Sequence, residues 1–278
     1  LSKDLPSLDE LQKFNPQQVS KIISADGVVV KKLYTHKRDM VNISHIPVHL
    51  RNALFAMEDR DFYSHSGISI KGTIRAIIVD VLTLSTRQGA STITQQLARN
   101  MYNSIGFKKT ITRKIKELIT AIKIEQTYTK TEILELYLNS IYFGHGNYGV
   151  QSASIYYFNK NVKELTLDES AILIGLLPAP ARYSPISHPT RSIKRRNLVL
   201  NVMNSEGYIS EKELNVNLDM KLNVSKGDFN KSIAPHYTEY VRRELEKIDT
   251  ELGFNIYEDG LEINTSIDSR IQSILNDV

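Results

Sequence analysis

Four places in the chain combine a hydroxyl side chain with Glu or Gln three residues later, each ahead of apolar residues: Thr92-x-x-Gln95, Thr129-x-x-Glu132, Thr166-x-x-Glu169 and Ser210-x-x-Glu213. This is the form of a capping box, in which the two side chains satisfy the free N–H groups that open a helix. It predicts four helix starts. Apolar residues at helical spacing add others: Leu50, Ala53, Leu54 and Met57 behind Pro47; Ile74, Ile77, Ile78, Val81 and Leu82; Ile115, Leu118, Ile119 and Ile122; Ile193, Val199, Val202 and Met203 as far as Gly207; and Tyr237, Tyr240, Val241, Leu245 and Ile248. Strand signals are confined to the ends. Val19 to Ile23 and Val28 to Leu33, around Asp26-Gly27, read as a hairpin, and Leu261, Ile263, Thr265 and Ile267 alternate as a strand. The expectation is a mainly α fold. A lone strand has no independent stability, so the last one must pair with something in the first 35 residues or fray.

At 278 residues, 41% hydrophobic and 24% charged, the chain can bury one large core, or a domain with a smaller satellite. The pattern divides it into a polar, proline-punctuated tether and hairpin over 1–40, a compact helical domain over 41–218, and a linker with the start of another region over 219–278. The absence of cysteine excludes disulfides, thiolate metal sites and a thiol nucleophile. No apolar run approaches the ~18 residues needed to cross a bilayer; the best, Ala171 to Leu177, is far shorter. The start at Leu1, without a signal peptide, reads as a fragment whose anchor lies upstream. The apolar face of the helix at 74–82 reads as core, with a membrane seat as the alternative.

Two glutamates sit in unlike surroundings. Glu58 closes a core-facing helical stripe, where partial desolvation would raise its pKa and suit it to proton abstraction. Glu117 has Arg113 and Lys114 four and three residues before it on one helix face, and those cations would keep it ionised. The stripe Ile115, Leu118, Ile119 and Ile122 places Glu117 on the opposite side of its helix. Between the glutamates, Gly89 to Asn100 is an uncharged helix start followed by Arg99, a natural anion seat. The net charge of +4 is concentrated over 108–125, where Lys108, Lys109, Arg113, Lys114, Lys116 and Lys123 face only Glu117 and Glu125. An anionic partner fits this segment; a solvated helix face is the plain alternative. Gly144, Gly146 and Gly149 mimic a dinucleotide fingerprint, but they follow a helical pattern and no βαβ period surrounds them, so they read as a loop.

The segments Glu58-Asp59-Arg60 through Gly67, Gln88-Gly89-Ala90-Ser91-Thr92-Ile93-Thr94-Gln95-Gln96-Leu97, Arg113-Lys114-x-x-Glu117, Lys130 to Tyr148, and Gly175-Leu176-Leu177-Pro178-Ala179-Pro180 to Tyr183-Ser184-Pro185 occur in order. Together they resemble the five signatures of the bacterial peptidoglycan glycosyltransferases of family 51, over roughly residues 40–205. Ala234-Pro235-His236-Tyr237 through Thr265-Ser266-Ile267-Asp268 is similar to the approach to the penicillin-binding half of bifunctional class A penicillin-binding proteins. The resemblance implies a mainly α, lysozyme-like bilobal glycosyltransferase domain, with a small N-terminal β-hairpin and a C-terminal linker carrying the first strand of a transpeptidase domain. It implies polymerisation of lipid II into β-1,4-linked glycan with inversion and release of the lipid diphosphate. The location implied is the extracytoplasmic face of the bacterial cell membrane, with an N-terminal transmembrane helix before Leu1. Part of the small lobe would lie against the membrane surface.

On that resemblance Glu58 is the base and Glu117 the second catalytic carboxylate, holding cations or a Mg²⁺ that travels with the diphosphate. Substrate contacts are implied for Asp59, Phe62, His65, Gly67, Gly89, Ser91, Thr92, Gln95, Gln96, Arg99, Asn100, Arg113, Lys114, Tyr137 and Asn139. The residues themselves leave alternatives open. Asp59 either tunes Glu58 or caps the helix end; His65 and Gly67 also read as shaping a turn, and Gln95 as a cap. Partners implied are lipid II, the nascent glycan and the phosphoglycolipid inhibitor moenomycin. A lysozyme-like hydrolase or lytic transglycosylase would share the single dominant glutamate without needing the basic helix. A basic module for nucleic acid or anionic lipid would need no glutamate base; the order of the motifs argues against both of these readings. No Ser-x-x-Lys or Lys-Thr-Gly occurs, so acylation by penicillin is not expected.

Overall fold

The computed structural model of the chain describes residues 19–34, 37–69, 91–101, 110–227 and 232–276. The expected tether, the helix expected at 74–82, Gln88, Gly89, Ala90, Lys108 and Lys109 lie outside the described residues. The rest is mainly helical, with six short strands among the described residues.

The larger core is assembled from α1 (Val48–Glu58), α2 (Ile93–Met101), α3 (Ile111–Thr127), α4 (Lys130–Ser140), α5 (Val150–Phe158), α6 (Leu167–Leu176), the single turn α7 (Pro180–Tyr183), α8 (Pro189–Ser205) and α9 (Glu211–Leu218). α6 carries most of the apolar run noted in the sequence and is buried from Asp168 to Leu176, packed on α1 and α8. Beyond its acidic first turn it is apolar on every side, as a helix in the middle of such a layer must be. The boxes at Thr129 and Ser210 form completely. At Thr166 the Glu169 carboxylate accepts from the Thr166 N–H at 2.9 Å, while the Thr166 hydroxyl donates to Asp168. At Thr92 only the hydroxyl half forms, accepting from the Gln95 N–H at 3.2 Å, because the Gln95 side chain is drawn elsewhere. Arg196 is a buried cation that the helical pattern did not single out. Its guanidinium donates to Met220 O at 2.7 Å and Leu218 O at 3.1 Å, satisfying carbonyls at the negative end of α9.

A second, smaller core forms around Ile22, Val30, Leu33 and Ile256. β1 (Ser20–Ile23) and β2 (Val29–Leu33) pair antiparallel across a turn where Gly27 has φ +82°, and β6 (Glu262–Asn264) lies parallel to β1, Ile22 opposite Ile263. The strand expected to need a partner thus finds it in the N-terminal hairpin. Val241 and Leu245 of α10 (Pro235–Leu252) pack on this sheet. The Asp26 carboxylate accepts from the Ser269 N–H at 2.9 Å and caps α11 (Ser269–Asn276).

The glycine loop is a tight turn between β4 (Tyr142–Gly144) and β5 (Asn147–Tyr148), with β3 (Lys37–Arg38) parallel to β5. Gly149 has φ +81°, and a Cβ there would lie 2.7 Å from Asn139 O, so only glycine fits where the chain enters α5.

In α3 Glu117 lies on the side opposite the apolar stripe, as the spacing predicts, but it is that polar side which faces inward. Ile115, Ile119 and Ile122 are 39%, 37% and 39% exposed, whereas Glu117 is 1% exposed and shares the inward side with Thr120, Ala121 and Ile124. The polar side can face inward because it meets ionic partners rather than hydrocarbon.

Candidate active site

α2 is the wall that connects the two glutamates. From its outward turn, Gln96 donates through Nε2 to Glu58 Oε2 at 2.8 Å, Gln95 accepts through Oε1 from Lys114 Nζ at 2.7 Å, and Arg99 Nη1 stands 3.7 Å from Glu117 Oε1. One helical turn thus touches both carboxylates. The four-residue periodicity of the Gln95–Gln96–Arg99 segment brings together residues that lie on three different helices.

Glu58 is the last residue of α1 and is half-buried. Burial pushes its carboxyl above the usual value; the Gln96 hydrogen bond pulls the other way, as do the more distant charges of Arg195 and Arg99, while Asp59 adds to the rise. Desolvation dominates, as expected for a carboxylate at the end of a core helix. Arg195, on α8, was not anticipated. Its guanidinium lies 5.5 Å from the Tyr183 ring, and its Nε is buried with no hydrogen-bond partner among the described residues. The sequence offered only the run Lys194-Arg195-Arg196 as a clue, with nothing to link it to Glu58.

Asp59, though adjacent, serves a different element. Its Oδ2 accepts from the Ile93 N–H at 3.0 Å at the start of α2, and both carboxylate oxygens face His65 Nε2 at 2.9 and 3.0 Å. His65 Nδ1 accepts from the Gly67 N–H at 3.1 Å, so Nε2 carries the proton. Gly67 O accepts from Thr92 Oγ1 at 2.7 Å and from Gln95 Nε2 at 3.1 Å. Asp59, His65, Gly67, Thr92 and the Gln95 Nε2 group therefore form one closed network that fixes the turn after α1 to the N-terminus of α2. Gln95 also has a place in the cation cluster.

Phe62 and Asn139 are likewise buried and engaged by the protein itself. Phe62 is fully buried, stacked on Phe55 at 5.6 Å and capped by Lys130 Nζ at 4.5 Å. Asn139 is buried and clamps Val41, accepting from its N–H at 2.9 Å and donating to its carbonyl at 2.8 Å. Tyr137 is buried and donates to Gln96 Oε1 at 3.0 Å.

Arg99, Arg113 and Lys114 converge on buried Glu117. Arg113 Nη1 pairs with Oε1, and Lys114 Nζ stands 3.3 Å from Oε2 while also reaching Ser91 Oγ at 2.8 Å. Burial draws the Lys114 pKa down and Glu117 draws it up, with burial the larger effect. The cluster stands in the first turns of α3, whose N-cap is Thr110, so the positive end of the helix adds to its field. An open cleft of about 280 Å³ borders this cluster, lined by Arg99, Asn100, Arg113, Ile141, Tyr142, Leu177 and Pro180. Of its lining residues, Asn100 and Arg113 carry buried donors, Nδ2 and Nε, that find no partner among the described residues. Unsatisfied donors beside converging cations mark a place prepared for an anion.

The same geometry does not fit a protein-held divalent metal at Glu117. Its two oxygens face three cations, and no group of three or more His, Cys, Asp or Glu residues that could hold a metal occurs among the described residues. A further divalent charge would be repelled there. Of the expected site residues, Gly89 lies outside the described residues. Glu58, Gln96, Arg99, Asn100, Arg113, Lys114, Ser91 and Glu117 are brought together along α2 and the cleft.

A desolvated glutamate beside three converging cations, on a mainly helical fold, is the arrangement that group transfer with an anionic leaving group would require. Residues 26–204 match the family model described as Transglycosylase, and the chain belongs to that family. It is 42% identical over 258 residues to Penicillin-binding protein 1F of Bacillus subtilis, covering 91% of this chain and 35% of that protein. It is 42% identical over 272 residues to Penicillin-binding protein 1A of Aquifex aeolicus, covering 98% and 37%. The chain thus spans little more than a third of the length of these relatives. A crystal structure of Penicillin-Binding Protein 1A from Haemophilus influenzae aligns with 92% of this chain and 28% of its own, at 29% identity and a TM-score of 0.49.

Proposed function

We propose that the chain is a peptidoglycan glycosyltransferase that joins lipid-linked disaccharide-peptides into β-1,4-linked glycan. The observation that carries this reading is the pairing, along one helix, of a desolvated carboxylate with a three-cation cluster that borders a cleft with unsatisfied donors. In the reaction, the sugar hydroxyl of the acceptor loses its proton to Glu58 as its oxygen bonds to the anomeric carbon of the donor. The bond from that carbon to the diphosphate oxygen breaks on the opposite face, which inverts the linkage. Arg99, Arg113 and Lys114 receive the charge that develops on the departing lipid diphosphate. Glu117 keeps those cations assembled and does not itself touch the reacting atoms.

A polyprenyl-linked substrate would bring the chain to a membrane surface, which the family resemblance puts on the extracytoplasmic side of the bacterial membrane. The exposed stripe Ile115, Ile119 and Ile122 suits an apolar surface of that kind. No helix among the described residues is long and apolar enough to cross a membrane. A phosphoglycolipid such as moenomycin would compete for the cation cluster.

Incubation of the protein with lipid II tests the reading. Polymer together with released lipid diphosphate is the expected result; shortened glycan without diphosphate release would indicate a lysozyme-like hydrolase, and binding without turnover a non-catalytic lipid-binding module.

A further inference from the structure

Gln96 has two chemically opposite ends, and the protein has fixed which end meets Glu58. The Tyr137 hydroxyl, fully buried on α4, donates to Gln96 Oε1 at 3.0 Å. That bond leaves Gln96 Nε2 facing Glu58 Oε2 at 2.8 Å. The reverse orientation would set an amide oxygen against a carboxylate oxygen, which is tolerable only if Glu58 carries a proton. Tyr137 stays a donor, since burial drives its ionisation well above the ordinary tyrosine range.

We propose that Tyr137, acting through the Gln96 amide, is a positioning residue that holds Glu58 Oε2 as an acceptor and leaves Oε1 as the oxygen that takes the proton. The assignment rests on Glu58 being the base of the proposed reaction. It gives the relay a second task. Burial alone makes Glu58 a stronger base but also lets bulk solvent protonate it in advance, and the N–H of Gln96 opposes that loss. The other charges that face Glu58 are Arg195 of α8, Arg99 of α2 and Asp59 at the end of α1, and none of them is altered when Tyr137 loses its hydroxyl.

The test is Tyr137→Phe, which keeps the ring in the core, read by the pH dependence of kcat/KM and by a ¹³C NMR titration of the Glu58 carboxyl without substrate. Without its donor, Gln96 Oε1 is free to turn toward Glu58 and favour the protonated form. The acid limb of the rate profile and the NMR midpoint should both move up by about one on the pH scale, so that activity falls about tenfold below the limb and recovers toward wild type above it. Gln96→Met, which deletes the donor directly, should move both readouts the same way. Uniform loss of activity at every pH with an unmoved NMR midpoint would show a merely structural tyrosine and overturn the proposal. Because the titration needs no substrate, it decides the relay even if the chain fails to polymerise lipid II, a failure that would count against the function alone.

Discussion

Glu58 and Asp59 are consecutive residues whose carboxylates serve different helices: Glu58 meets Gln96 on the side of α2, whereas Asp59 turns back to the Ile93 N–H at its start and to His65. The first is left half-buried for chemistry, and the second is 4% exposed and fully engaged.

Asp59→Ala should therefore behave as a fold mutation before it behaves as a catalytic one. It leaves the Ile93 N–H and the His65 ring unpaired in the core, a cost of about 1–3 kcal/mol for each group left unsatisfied. Thermal unfolding should show a clear drop in Tm, with Glu58→Gln as the control that does not share it. An unchanged Tm would remove Asp59 from the network that anchors α2.

Arg113→Ala and Lys114→Ala should weaken binding of diphosphate-bearing ligands, measured by isothermal titration calorimetry. Read from the sequence, these cations were surface charges whose loss would scarcely affect stability. The structure changes that expectation for Arg113. Glu117 is 1% exposed, and losing its Arg113 partner should cost about 1–3 kcal/mol, moderated by Arg99 and Lys114, which remain. Arg243→Ala on exposed α10, by contrast, should change stability by less than about 1 kcal/mol. Equal effects at the two sites would contradict the buried cluster.

Glu58 also makes stability depend on pH. Its folded-state pKa is raised above the ordinary value of 4.5, so its contribution to stability is fully present below pH 4.5 and is lost as pH rises through the folded value. At neutral pH the ionised carboxylate is a burden on the fold. Glu58→Gln should unfold at a higher temperature than wild type near neutrality, and that advantage should vanish as pH falls below the ordinary carboxylate range. A Tm difference that does not vary with pH would mean that Glu58 is not desolvated.

Gly149→Ala combines a left-handed backbone with a Cβ 2.7 Å from Asn139 O. Strain of this kind costs about 1–3 kcal/mol. Denaturant titration should register it as a lower midpoint with an unchanged slope; a wild-type midpoint would show that the β5–α5 junction is free to move.

What the sequence made legible was whatever depends on near neighbours. Glu58 could be read from the stripe before it, the Glu117 cluster from cations three and four residues away, and four helix starts from their capping boxes. The pairing of β6 with β1 could be read only as a requirement, because nothing local names a partner some 240 residues distant. The roles of Asp59, His65, Gly67 and Gln95 emerge from hydrogen bonds between segments that local patterns do not connect. Tyr137, Asn139 and Phe62 lie in segments that resemble a family site, and their burial and protein partners could not be read from those segments. The stripe on α3 located Glu117 on the opposite side but could not say which side faces inward: apolar periodicity reports which side is greasy, and an inward face can be polar when three cations and a carboxylate satisfy one another there.

The most direct measurement is chain elongation by Glu58→Gln with lipid II, made alongside the binding of a phosphoglycolipid to the same variant. The amide keeps the size of the carboxylate and can still accept from Gln96, but it cannot take a proton. Elongation should fall by about 10²–10⁴-fold while phosphoglycolipid affinity and the folded state are retained. Elongation at close to the wild-type rate would contradict the assignment of Glu58 as the base.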